Sequence, residues 1–162
     1  MIQRVISKIV DLVIKAQKLA SSIGISNILQ PGLVKEMIIS EILGHEIITS
    51  KRDADAHDKN NHNIKYEYLS CYEDGTGQLD RMFKSPAEKR TESLYRITRN
   101  KMIYLAIFYK KKPLQVKIIY EIKPEVLLKE TEKQLNRSSN KISHVGFSES
   151  WAKKNGRIVF RG

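Results

Sequence analysis

The run MIYLAIFY (residues 102–109), followed by KKKP (110–113) and LQVKIIYEI (114–122), decides the architecture. Residues 102–109 carry no charge and are rich in β-branched and aromatic side chains, the pattern of a strand buried on both faces. Three lysines and a proline force a solvated turn, and the chain returns as a second strand. A proline then opens a helix, because Pro124 suits the first helical position, and that helix is expected to reach about Asn136. Upstream, AEKRTESLYRITRN (87–100) reads as a basic helix. Ile64 to Cys71 alternates: Lys65, Glu67, Leu69 and Cys71 share one face, and Ile64, Tyr66, Tyr68 and Ser70 take the other. His45 to Thr49 reads as a short strand, EDGTG (73–77) as a loop, and QLDRMFKSP (78–86) fits neither period.

At the N-terminus, Ile2, Val5, Ile6, Ile9, Val10, Val13 and Ala16 recur at three- and four-residue steps, which predicts an amphipathic helix to about Ala20. Pro31-Gly32 opens a second helix that Gly44 stops. The tail HVGFSESWAKKNGRIVF (144–160) reads as two short strands around a helical turn closed at Asn155-Gly156. The order is two helices, strands, a helix, two strands, a helix and a β tail. That order predicts an α/β fold with a mixed central sheet flanked by helices. Residues 1–162 read as one domain, with a helical segment (1–44), a sheet (45–123), and a helix plus β tail (124–162).

The chain holds 29 Lys plus Arg against 18 Asp plus Glu, so its formal net charge is 29 − 18 = +11. Such an excess favours a polyanionic partner, because cations placed near phosphates release condensed counterions. Membrane surfaces also attract cations, and a basic surface also aids solubility. The first 17 residues are interrupted by Arg4, Lys8, Asp11 and Lys15, so neither a signal peptide nor a membrane span is expected. Cys71 is alone, so no internal disulfide is expected and an intracellular, cytoplasmic location fits.

Two acids stand out. Asp55 follows a strand and Glu67 lies within the next one, across the polar turn KNNHN (59–63). A β-hairpin would bring the two carboxylates to one sheet edge, where a hard cation such as Mg²⁺ could sit between them. The alternative pairs Glu67 with Lys65 or Arg52 and leaves Asp55 as a turn-former. His57 and His62 flank the same turn, close together in sequence. They lack zinc-ligand spacing, and no zinc site is expected.

DAHD (55–58) followed by KYEYLS (65–70) resembles the catalytic hairpin of type II restriction endonucleases of the PD-(D/E)xK nuclease superfamily. QKLASSIGISNILQPGLVKEMIISEILGH (17–45) resembles the dimerisation helices of such enzymes. MIYLAIFY and KIIYEIKPEVL resemble later strands and the following helix, and SNKIS (139–143) with a terminal β hairpin resembles a DNA-recognition tail. The resemblance implies a restriction-endonuclease-like fold in a homodimer joined through residues 1–44. It implies Mg²⁺-dependent hydrolysis of double-stranded DNA at a short palindrome, leaving 5′-phosphate and 3′-hydroxyl ends. A bacterial or archaeal cytoplasm and a companion DNA methyltransferase would follow.

Residue by residue, the resemblance implies that Asp55 and Glu67 hold the metal with the backbone carbonyl of Tyr68. The family's catalytic lysine falls at position 69, where this chain has Leu69. Lys65 is one candidate replacement, two residues from Glu67 on the same strand face and roughly 6 to 7 Å along it. Lys84, or a side chain from the helix holding Glu36 and Glu41, is another. A second metal ion, or DNA binding without cleavage, are the remaining explanations. Gln78, Asp80 and Arg81 sit where base contacts in the major groove are implied, and Asn140 and Lys141 lie in the second recognition segment. An exposed loop with an Asp80–Arg81 pair is the alternative for the first group. Arg99 reads as a phosphate contact and His57 as a proton carrier or phosphate contact.

Overall fold

The computed structural model describes residues 1–50 and 52–162. Helix α1 (Ile2–Ser22) leads into α2 (Leu33–Leu43). Gly32 (φ 84°) and Gly44 (φ 71°) bound α2 in left-handed conformations that only glycine adopts without strain. Short strands β1 (Glu46–Ile47) and β2 (Ala56–His57) precede β3 (Lys65–Tyr72) and β4 (Thr76–Phe83). Helix α3 (Ala87–Thr98), strands β5 (Met102–Phe108) and β6 (Val116–Ile122), and helix α4 (Pro124–Arg137) follow. Strand β7 (Ile142–Ser148), helix α5 (Glu149–Asn155) and strand β8 (Arg157–Arg161) complete the chain.

The main sheet has the order β1-β2-β3-β5-β6-β8. Strand β3 runs parallel to β5, and the other neighbours are antiparallel, so the sheet is mixed. Its central strands are buried on both faces, as the uncharged run predicts. One face carries Leu69, Ile103, Leu105, Ile118 and Ile122, packed against α3, α4, α5 and a second sheet. The other carries Tyr66, Tyr68, Tyr104, Ala106 and Ile119, packed against Ile39 of α2. The alternation along β3 therefore sorts its residues between two cores. The C-terminal end of α1 is held by the loop that follows it: Gln17 bonds the backbone of Ile25, Ser26 and Ile28, and Ala20 packs with Ile25 and Leu33. Among the described residues no helix is long and apolar enough to cross a membrane.

The second sheet pairs β4 with β7, antiparallel. Gly77 and Leu79 face inward, a bulge follows, and Met82 faces inward again. Arg81 sits in that bulge at φ 51°. One extra residue puts Asp80 and Arg81 both on the exposed side, which breaks the period of two and hides the strand from a sequence pattern. Gly77 has a structural role: a Cβ there would lie 2.5 Å from Leu105 Cδ1 and 3.0 Å from Leu69 Cβ. Only glycine lets the ribbon settle this closely on the main sheet. The expected terminal β hairpin does not form. Strands β7 and β8 part company, β7 joining β4 and β8 closing the main sheet beside β6. Helix α5 between them separates the two strands by more than a tight turn can bridge.

Candidate active site and nucleic-acid face

The β2–β3 pairing matches Ala56 with Tyr66, and Asp55, one residue earlier, bonds the β3 backbone on either side of Glu67. The Asp55 N–H donates to the Tyr66 carbonyl at 3.1 Å. Its side chain turns to the strand backbone and accepts a bond from the Tyr68 N–H at 2.7 Å. Strand β2 ends here, so the carboxylate takes the place of the next ladder partner. The N–H and carbonyl of one strand residue point to the same edge, so the Tyr68 carbonyl faces the side on which Asp55 lies.

These acids are packed too closely to remain ordinary carboxylates. Burial, and then the charge of Asp55, push the Glu67 carboxyl well above its usual range. Burial also raises Asp55, against the pull of its bond from Tyr68 and of Arg99 and Arg96. Glu36 of α2 is raised to about 7, by burial first and the Asp55 charge second. Glu36, Asp53 and Asp55 line a cleft of about 250 Å³ between α2 and the sheet edge. Glu67 Oε2 is buried with no hydrogen-bond partner among the described residues. A buried carboxylate oxygen left unbonded is costly, and a hard divalent cation would satisfy it. The donor set of Asp55, Glu67 and the Tyr68 carbonyl, all oxygen, fits Mg²⁺.

The cations are arranged differently from either pairing considered for Glu67. Lys65 donates to both oxygens of Asp53 at 2.6 Å, leaving Glu67 to another partner. That partner is Arg99, whose Nη2 lies 3.5 Å from Glu67 Oε2, an ion pair without hydrogen-bond alignment. The Arg99 side chain is only 15% exposed and turns inward to the acids. Its Nη1 donates to the Arg52 carbonyl. Arg96, one turn earlier on α3, donates to the Asp80 carbonyl and links the acids to β4. Lys84 is engaged elsewhere, donating to the Ser138 carbonyl at 2.6 Å. Leu69 is buried in the first core beneath Gly77. Basic helical residues such as Arg96 and Arg99 carry no local signature of an acid partner, which arises only when α3 docks.

The two segments expected to read bases come together on one ribbon. Gln78, Asp80 and Arg81 are exposed on β4, and Asn140 and Lys141 lie just before its partner β7, where the Lys84 N–H bonds the Lys141 carbonyl. The exposed-loop alternative for residues 78–81 is replaced by a strand with a bulge. His144, on the facing strand, holds Asp80 Oδ1 at 2.8 Å through Nδ1 and was missed by the sequence reading. A two-stranded ribbon with a polar outer face matches the width of a DNA major groove.

No protein-family model matches the chain, and none of the curated proteins matches it.

His57 is mostly buried on the main sheet. It faces Glu46 and His62, and all three ligand-capable atoms lie within 4.8 Å of one another. The sequence spacing gave no sign of this, because Glu46 comes from β1 and His62 from the turn after β2.

Proposed function

We propose that this chain is a Mg²⁺-dependent DNA endonuclease of the type II restriction kind, with a restriction-endonuclease-like fold and one site per subunit. The observation that carries the reading is Asp55 bonded to the β3 backbone on either side of Glu67, whose buried Oε2 has no hydrogen-bond partner among the described residues. Asp55, Glu67 and the Tyr68 carbonyl would hold Mg²⁺, which when bound polarises the scissile phosphate and acidifies water. Arg99 and Arg96 set two guanidinium groups beside the acids and balance negative charge on the phosphate. Lys65, held by Asp53, stays on the same face of β3 as Glu67. The exposed face of the β4–β7 ribbon reads the duplex: Gln78 suits adenine, Arg81 suits guanine, and Asp80 accepts from cytosine. Asn140 and Lys141 extend that face. Hydrolysis leaves a 5′-phosphate and a 3′-hydroxyl.

A second copy of the chain supplies the second site. Ile2, Val5, Ile6, Ile9 and Val10 are each 44% or more exposed on α1, an apolar face that the single chain leaves bare. Two subunits joined there place two sites on one palindromic duplex. In a bacterial or archaeal cytoplasm, a companion methyltransferase would protect the host's own copies of the target.

A non-catalytic DNA-binding module is the second reading. It is favoured by Leu69, which puts a core side chain where the family carries its lysine. A repair or junction nuclease on the same fold is the third. Digestion of plasmid DNA with Mg²⁺ separates them. Discrete fragments support restriction, nicking confined to branched or mismatched DNA supports repair, and a mobility shift without cleavage supports the binding module. Asp55→Ala and Glu67→Ala should abolish cleavage while binding in Ca²⁺ persists. Full cleavage by Asp55→Ala would remove the site assignment.

A further inference from the structure

Next to the acid pair, the same hairpin carries a different set of ligands. Strand β1 places Glu46 across from His57, and β2 places His57 across from Lys65. The turn after β2 brings His62 onto the His57 ring, centroid to centroid 4.1 Å. His57 Nε2 and His62 Nε2 each lie 3.8 Å from Glu46 Oε2. Atoms bound to one Zn²⁺ at its usual bond lengths and tetrahedral angles stand about 3.4 Å apart. Each histidine–glutamate distance therefore exceeds that spacing by only a few tenths of an ångström, and all three ligand atoms lie within 4.8 Å of one another.

Three further features prepare the group. His57 Nδ1 lies 2.9 Å from the Asp58 carbonyl, which can only accept. Nδ1 is thus the donor, which leaves Nε2, facing Glu46 and His62, as the nitrogen to bind a metal ion. The turn that holds His62 is ordered by Asp58 Oδ1, which accepts from the N–H groups of Asn60 and Asn61. Lys65, the neighbouring cation on this face, is held at 2.6 Å by Asp53, so its charge is neutralised.

We infer that Glu46, His57 and His62 form a binding site for a borderline divalent metal ion of the Zn²⁺ type, distinct from the Asp55–Glu67 pair. Two imidazoles and one carboxylate are the ligands that Zn²⁺, Co²⁺ and Ni²⁺ favour, whereas Mg²⁺ prefers oxygen alone. Three protein ligands leave a fourth position open, as in zinc sites that hold a reactive water. His62 and Glu46 are well exposed, so the ion reaches the site from solvent. Bound there, it ties β1 and β2 to the turn at the free edge of the main sheet. The site stands independently of the nuclease reading, since none of its ligands belongs to the Asp55–Glu67 pair.

The test is titration of the metal-free full-length protein with Zn²⁺, and with Co²⁺ for its visible absorption, in excess Mg²⁺. One ion per chain should bind, with Co²⁺ absorption of a low-coordinate nitrogen–oxygen site. His62→Ala and Glu46→Gln, both at exposed positions, should weaken binding more than about tenfold, and Asp55→Asn should leave it unchanged. Binding that survives both exposed-ligand variants, or the absence of stoichiometric binding, overturns the inference. So does loss of binding in Asp55→Asn alone, which would place the ion at the acid pair.

Discussion

The main-chain N–H of Tyr68 donates to Asp55 Oδ2 at 2.7 Å, so the aspartate both ends the β2–β3 ladder and brings a carboxylate to the edge of β3. Its remaining oxygen, Oδ1, is left for another partner. Asp55→Asn keeps an acceptor for Tyr68, and Asp55→Ala does not. Asn should therefore fold with near wild-type stability and lose cleavage. Ala should lose cleavage and destabilise the edge by about 1–3 kcal/mol, the cost of an unsatisfied N–H. Denaturant melts beside a cleavage assay check both.

Glu36 makes stability depend on pH. Its carboxyl is raised from 4.5 to about 7, by burial and then by Asp55. Between those values the folded chain holds a proton that the unfolded chain has lost. The contribution of Glu36 is therefore fully present below pH 4.5 and is lost as pH rises toward 7. Glu36→Gln should raise stability at pH 8 by roughly 1–3 kcal/mol and leave it nearly unchanged at pH 4. Urea melts at the two pH values measure this, and an equal effect at both would count against a buried Glu36.

Placing a lysine at position 69 should fail. Leu69 is 3% exposed, and its Cβ lies 3.0 Å from where a Cβ on Gly77 would stand. Leu69→Lys would bury an ammonium group under the β4–β7 ribbon, at a cost of about 3 kcal/mol or more. Thermal melting should show the loss, with no gain in cleavage. A faster, stable Leu69→Lys enzyme would show that the ribbon lifts away from the sheet.

Arg99 is the cation nearest Glu67, at 3.5 Å. If the nuclease reading holds, Arg99→Ala should lower kcat by about 10²–10³, with DNA binding in Ca²⁺ little changed. Arg99→Lys should recover part of the rate, because it restores the charge without the planar fork. Single-turnover cleavage separates this from a binding defect, and circular dichroism checks that Arg99→Ala still folds.

The bare face of α1 predicts the assembly. Ile6 and Ile9 are 44% and 52% exposed in the single chain, so replacing either with Asp disturbs no contact within the subunit. Light scattering should give twice the chain mass for the wild type and the single-chain mass for Ile6→Asp/Ile9→Asp. Equal masses would remove α1 as the interface.

Local pattern alone determined most of the elements. The uncharged run 102–109, the lysine–proline turn and Pro124 specify β5, β6 and α4, because buried strands and helix starts have short-range signatures. The alternation of residues 64–71 sorted Leu69 and Cys71 from Tyr66 and Tyr68 onto opposite faces, since strand side chains alternate strictly. Tertiary structure decided the rest. The bulge at Arg81 concealed β4 from any period of two, and pairing over long sequence separation sent β7 and β8 to different sheets. The docking of α3 brought Arg99 to Glu67, and Glu46, His57 and His62 meet only through three separate segments. Contacts of that kind depend on how elements pack, and packing leaves no mark on the spacing of neighbouring residues.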